Sequence, residues 1–287
     1  MYYLLIVLSV VMFGVNFAIQ DGYRKIRGSS LKISLEFALI GGLCAVVVLL
    51  IANGFKVEFT WFTLLISLAT TVIGIGYTFC SFRALGLINL SLYSLFSMLG
   101  GMLLPFLQGI VVYGEGMTVA KAVCLAFITV ALILTVEKGD KKRGVIYYVG
   151  VFVLNGLSGV FSKIFTESTL PKASPTGYSL LSAICSVVLS LSLLLLFFRK
   201  SNDHSKIGVK DSALAVTGGT INKVANLLLV VALLHVEASV QYPMVTGGVM
   251  IVSTLICFLQ GQKPSKRELA SVTLAFIGML ALFVIPI

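Results

Sequence analysis

One lysine stands where a lysine is expensive. Lys223 lies about twelve residues into an apolar stretch spanning 211–234, roughly 18 Å from the nearest polar loop at the helical rise per residue. An ammonium at that depth in a hydrocarbon-like segment needs water, a partner or a ligand. Its neighbours are polar too: GGTINKVANLLL (218–229) places Thr220, Asn222, Lys223 and Asn226 within adjacent turns of one helix. Such a stripe must face protein or an aqueous cavity, because lipid cannot satisfy it. Two readings follow. The stripe lines a solute path, where the cation favours a carboxylate or phosphate on the solute, or the amine is structural and bonds helix carbonyls.

Other polar residues are spaced so that they could share that path. Asn16 and Asn155 fall in the first and sixth apolar stretches, Tyr77 in the third, and Gln241 and Tyr242 at the start of the ninth, before Pro243. Each could donate or accept a hydrogen bond at a central cavity; interhelical hydrogen bonding is the plain alternative. Glu36 is the one acid well inside an apolar stretch. Lys32 sits one helical turn earlier, so a local ion pair is the favoured reading, with a proton-coupling carboxylate as the sharper one. Lys163, near the end of its stretch, can snorkel toward the interface. Glu115 reads as a helix-turn residue that favours the following helix N-terminus.

Several chemistries are excluded. His204 and His235 lie in loops far apart in sequence and no nucleophile–base pair is apparent, so no enzyme signature stands up. The five cysteines, Cys44, Cys80, Cys124, Cys185 and Cys257, occupy five different apolar stretches without metal or disulfide spacing. No phosphate-binding glycine loop with its lysine occurs. The sequence therefore calls for no metal and no cofactor. The net charge of +10 comes from Lys and Arg in short connections rather than from a basic face or tail, which argues against nucleic acid.

The elements that must position these residues are hydrophobic helices. Of 287 residues 58% are hydrophobic and 11% charged, and the mean hydropathy is +1.06; soluble domains carry about 25% charged residues. Ten apolar stretches near the length that crosses a bilayer fall at 2–20, 31–53, 60–84, 89–113, 118–136, 144–166, 176–198, 211–234, 238–260 and 266–286. Their connections are too short for a soluble domain. The first stretch lacks a basic start and a small-residue cleavage site, so it reads as a retained helix rather than a signal peptide. Basic residues cluster in alternate connections (Arg24, Lys25, Arg27, Arg83, Lys141, Arg143, Arg199, Lys210, Lys263 and Arg267 among them), against Lys56, Lys121 and Lys172 on the other side. The positive-inside rule puts the basic side in the cytoplasm and both termini outside a cytoplasmic membrane.

The two halves repeat. LGGMLLPFLQGIVVYGE (99–115) matches TGGVMIVSTLICFLQGQ (246–262), and LAFITVALIL (125–134) matches LAFIGMLALF (274–283). The expected architecture is an all-α membrane protein of ten transmembrane helices in two inverted five-helix repeats, 1–137 and 144–287, joined by a basic linker at 138–143. An odd number of helices per repeat makes the second copy enter the membrane from the opposite side.

FGVNFAIQ (13–20), FRALGLINLSLYSL (82–95) and the Gly114-Glu115 turn followed by Thr118 together resemble the drug/metabolite transporter superfamily, specifically its EamA-type carriers. The likeness spans both repeats. Gly261-Gln262 departs from the family's usual Gly-Glu. The related small multidrug resistance proteins use a first-helix glutamate where this chain has only Asn16, which speaks against cation antiport by that route. The resemblance implies a secondary carrier moving a small polar metabolite, amino-acid-like or otherwise, or a drug, by alternating access and as an exporter. The expected partners are a small-molecule substrate and the bilayer, with the chain acting as a monomer. The alternatives are a flippase for a lipid-linked substrate and a non-transporting membrane sensor or assembly subunit.

Overall fold

A computed structural model describes residues 2–114, 116–135, 142–198, 207–236, 238–261 and 264–284. Glu115, Gln262 and all but the last two residues of the basic linker lie outside them. Among the described residues the chain forms ten helices and no strand: α1 (Tyr2–Arg27), α2 (Leu31–Ala52), α3 (Trp61–Leu85), α4 (Leu90–Tyr113), α5 (Val119–Thr135), α6 (Lys142–Glu167), α7 (Pro175–Phe198), α8 (Val209–Leu233), α9 (Ala238–Leu259) and α10 (Lys266–Val284). Seven of them, α1–α4 and α6–α8, are long and apolar enough to cross a membrane; α5 and α9 carry shorter apolar segments, Ala122–Ala131 and Met244–Leu259.

Side chains set the helix starts. Ser30, Thr60 and Asn89 cap α2, α3 and α4 by accepting from the backbone N–H of Ile33, Thr63 and Leu92, which satisfies donors that a first turn leaves open. Gly114, with φ of 67°, closes α4 in the left-handed conformation, a position glycine takes at no steric cost. Helix α1 runs seven residues beyond the apolar stretch at 2–20. Asp21 holds Arg24 at 2.8 Å and Lys25 at 2.6 Å, and pairs at these spacings support a helix through charged sequence.

The helices pair across the two halves. α1 packs on α8 and α9, while α6 packs on α3 and α4; α2 lies on α7, α4 on α9 and α5 on α10. The paired glycines make the closest of these contacts possible. A Cβ at Gly100 of α4 would run into the Phe152 backbone of α6, and one at Gly248 of α9 would lie 2.7 Å from Val10 of α1. Gly41 of α2 and Gly219 of α8 touch backbone to backbone.

Candidate functional site

The helices of both halves enclose one cavity of about 280 Å³. Its walls come from the middle of α1, α2, α3, α4 and α8 and from α6, then extend to the first half of α7, the first turns of α9 and the last turns of α8. It therefore reaches toward the end of the bundle where α7 and α9 begin. Of the residues singled out in the sequence, Tyr77, Asn155, Asn222, Lys223, Asn226, Gln241 and Tyr242 all line it. Among the described wall residues Lys223 carries the only formal charge.

On α8 the polar stripe behaves as helical phase requires. Asn222, Lys223 and Asn226 share the cavity face with Gly219 one turn earlier, because residues three or four apart lie on one side of a helix. Asn226 donates to the Asn222 carbonyl at 2.8 Å and to its Oδ1 at 3.3 Å, so its amide nitrogen is committed within the helix. Lys223 is partly exposed, and that exposure is to the cavity. No carboxylate among the described residues lies within ion-pair reach of it; Cys185 of α7 is the titratable side chain in electrostatic contact with it.

On the facing wall a hydroxyl network ties three helices together. Tyr77 of α3 bonds the Tyr93 hydroxyl and Ser97 Oγ of α4, each at 2.8 Å, and Tyr93 donates to Ser81 at 2.8 Å. Asn155 of α6 donates to the Ser97 carbonyl at 2.6 Å. Ser97 thus joins two residues that the sequence suggested separately. Tyr93, Ser97 and Ser81 are buried and drew no notice in the sequence, where serines in apolar helices are common. On the α8 side, Gln241 of α9 donates to the Leu229 carbonyl at 2.9 Å. Further hydroxyls line α6 and α7 at Ser158, Ser162, Ser179, Ser182 and Ser186, beside the rings of Phe13, Phe17, Phe37 and Tyr178.

Two of the candidates take other places. Asn16 is fully buried outside the cavity wall, and both of its side-chain polar atoms are without hydrogen-bond partners among the described residues. The α1 residues that reach the cavity are Phe13, Phe17 and Gln20, a face offset from Asn16, which instead approaches Gly218 of α8. Glu36 lies away from the cavity and pairs with Arg27 at 2.8 Å, a partner nine residues back across the α1–α2 turn rather than one helical turn away. Lys163, read as snorkelling, is buried with its Nζ 5.1 Å from the Tyr113 ring centre.

The two ends of the bundle differ. Where α1 ends and α2 and α8 begin, Arg27 meets Glu36 and, at 4.0 Å, Asp211. Immediately beneath, Phe37 packs edge to face on both Tyr23 and Phe82, which lie tilted against each other, with centroids 5.0–5.9 Å apart. This aromatic layer closes that end below the cavity. At the opposite end Phe165 stacks on Tyr178 at 4.2 Å. In the loop there, Glu58 accepts from the Ser174 backbone N–H at 2.5 Å and from its hydroxyl at 2.7 Å. Those donors hold the Glu58 carboxyl below its ordinary range. Among the described residues no group of three or more His, Cys, Asp or Glu is placed to hold a metal.

No protein-family model matches the chain, and no curated protein does. Solved structures do: 24 chains are similar in structure. One of them, described only as the crystal structure of a protein, aligns at a TM-score of 0.66 over 98% of this chain and 94% of its own, with 17% identity. At that identity the likeness is one of fold alone.

Proposed function

We propose that the chain is a secondary membrane carrier of the drug/metabolite type that moves a small polar organic solute by alternating access. The observation that carries this reading is the cavity: about 280 Å³, mainly apolar but set with a few hydrogen-bonding groups and one lysine, walled by helices of both halves, and sealed at one end by the Tyr23–Phe37–Phe82 layer under the Arg27 ion pairs. Its volume falls just below the usual range of small-molecule pockets, roughly 300–1,000 Å³, which suits a small metabolite better than a lipid-linked headgroup. A scaffold has little need of such a chamber.

The helix pairing supports the inverted repeat. Advancing every label by five turns the contacts of α1 with α8 and α9 into those of α6 with α3 and α4. The duplicated glycine pairs play matching parts, Gly100 against the first helix of the second half and Gly248 against the first helix of the first. Two such halves can exchange conformations, giving states open to opposite sides. The sealed end is the basic end, so the positive-inside rule makes this a state closed to the cytoplasm, with both termini outside. Because one chain encloses the whole cavity, a monomer suffices. Export is the direction that the family resemblance suggests.

Reconstitution tests the reading. Liposomes containing the protein should take up a labelled solute from a panel of amino acids, organic acids and sugars above empty liposomes, and Ser158→Trp, which fills the cavity, should abolish that uptake. Uptake indifferent to the filled cavity would exclude the chamber as the route.

A further inference from the structure

Among the described residues the cavity holds a positive charge and no negative one. Lys223 sits midway along α8, and Asn222 beside it also lines the cavity; no carboxylate among the described residues is within ion-pair reach of Lys223. The acids of the neighbouring helices are committed at the sealed end, Asp21 to Arg24 and Lys25 and Glu36 to Arg27. A cation held away from bulk water without a counter-charge is costly, and a ligand that brings the missing charge recovers much of that cost. Beside the ammonium, the Asn222 amide nitrogen makes no hydrogen bond among the described residues, and Ser186 of α7 adds a hydroxyl on the cavity wall. Two N–H donors from α8 and a hydroxyl from α7 on the wall of one cavity offer the complement of an oxyanion. The rest of the chamber is aromatic and hydroxylic, fitted to an uncharged body.

We infer that Lys223 and Asn222 form an anchor for a single oxyanion, and that the carrier's substrates are small organic monoanions with an aromatic or apolar body of up to about the cavity's size. A carboxylate has this chemistry, whereas a phosphate monoester, with its second pKa at about 6, is mostly dianionic at neutral pH. Dianions leave one charge uncompensated, and cations meet Lys223 as a like charge. This assignment rests on the carrier reading for its physiological sense, but the binding it describes does not require transport.

The test uses ligand pairs that differ only in charge: benzoate with benzamide, phenylacetate with phenylacetamide, lactate with lactamide, and phenyl phosphate as the dianion. Binding to the purified full-length protein is read by the ligand-dependent rise in its unfolding temperature. The acids should stabilise the protein while their amides do not. Benzoate should stabilise the protein more than phenyl phosphate does. Lys223→Met should weaken the best acid by about 30-fold or more, the usual cost of removing one member of a desolvated charge pair, and Lys223→Arg should keep most of the affinity. Asn222→Asp, close to isosteric, places a carboxylate beside the ammonium and should abolish acid binding in a folded protein. Amides binding as well as acids, cations binding instead, no acid binding at all, or acid binding unchanged in Lys223→Met or Asn222→Asp would each overturn the anchor. Transport of a neutral solute with no acid binding would sink the anchor and leave the carrier reading standing. Acid binding lost in Asn222→Asp, without flux in liposomes, would do the reverse.

Discussion

Replacing Gly41 with alanine should separate α2 from α8 and cost stability in an amount the structure allows to be worked out. A Cβ at Gly41 would lie 2.6 Å from both the Ala215 carbonyl oxygen and the Gly219 Cα. Carbon atoms pack at about 3.5–4.0 Å, so the helices must move apart by about 1 Å. Both obstacles are backbone, which cannot swing aside as a side chain can. Overpacking of this kind costs about 1–3 kcal/mol, while the better helix propensity of alanine returns up to about 1 kcal/mol. The proper control is therefore another helical glycine with room, and Gly22 of α1 has nothing within 4 Å of its notional Cβ. Thermal unfolding in one detergent should rank Gly22→Ala at or above the wild type and Gly41→Ala below Gly22→Ala by a difference of about 1–3 kcal/mol. Because Gly219 precedes Lys223 by one turn, the same displacement should also weaken whatever the cavity binds. A Gly41→Ala protein that melts with the Gly22→Ala control would refute the close α2–α8 contact and the packing argument built on it.

Arg27→Gln removes the cation that joins Glu36 and Asp211 and should loosen the sealed end. With the native cysteines replaced, a Thr78→Cys reporter on the cavity wall should react faster with an impermeant maleimide applied from the basic side; an unchanged rate means that the aromatic layer alone makes the seal. Asn16→Val removes two buried polar atoms that lack partners, each carrying a desolvation cost of about 1–3 kcal/mol, so the variant should melt no lower than wild type, whereas a large loss would reveal an essential polar contact. Glu58 titrates below the ordinary carboxylate range in the folded protein. Its contribution is therefore present at neutral pH and lost as pH falls through that lowered value. The melting temperature of Glu58→Gln should lie below wild type at pH 7 and converge with it in acid, and a gap that persists in acid contradicts the Ser174 linkage.

The helices were legible because apolar length is a one-dimensional signal. The stretch expected at 31–53 is α2 (Leu31–Ala52), and that at 89–113 is α4 (Leu90–Tyr113). The reading failed where charge enters a helix without ending it, as at Asp21–Arg27, whose own ion pairs carry α1 onward. Lys223 could be picked out by depth alone. The cavity as a surface could not, because its walls depend on the rotation of each helix. Asn16 shows the consequence: beside Phe17 in sequence, it points into the α8 contact while Phe17 faces the chamber. The Arg27–Glu36 pair spans a turn, and local spacing favoured Lys32 instead. Ser97 was invisible for a similar reason, since its role comes from the meeting of α3, α4 and α6. The doubled glycine motifs were visible in the sequence, but the helices they press against, α6 for Gly100 and α1 for Gly248, were not.

The most direct test of the carrier account is counterflow. Liposomes carrying the purified protein are preloaded with an unlabelled solute that binds it, and influx of the labelled solute is followed with and without the preload. A single site exposed alternately to the two sides predicts saturable influx that the preload accelerates, and that vanishes in Ser158→Trp. Influx that the internal solute does not accelerate, or no influx of any solute shown to bind the cavity, would contradict alternating access through this chamber.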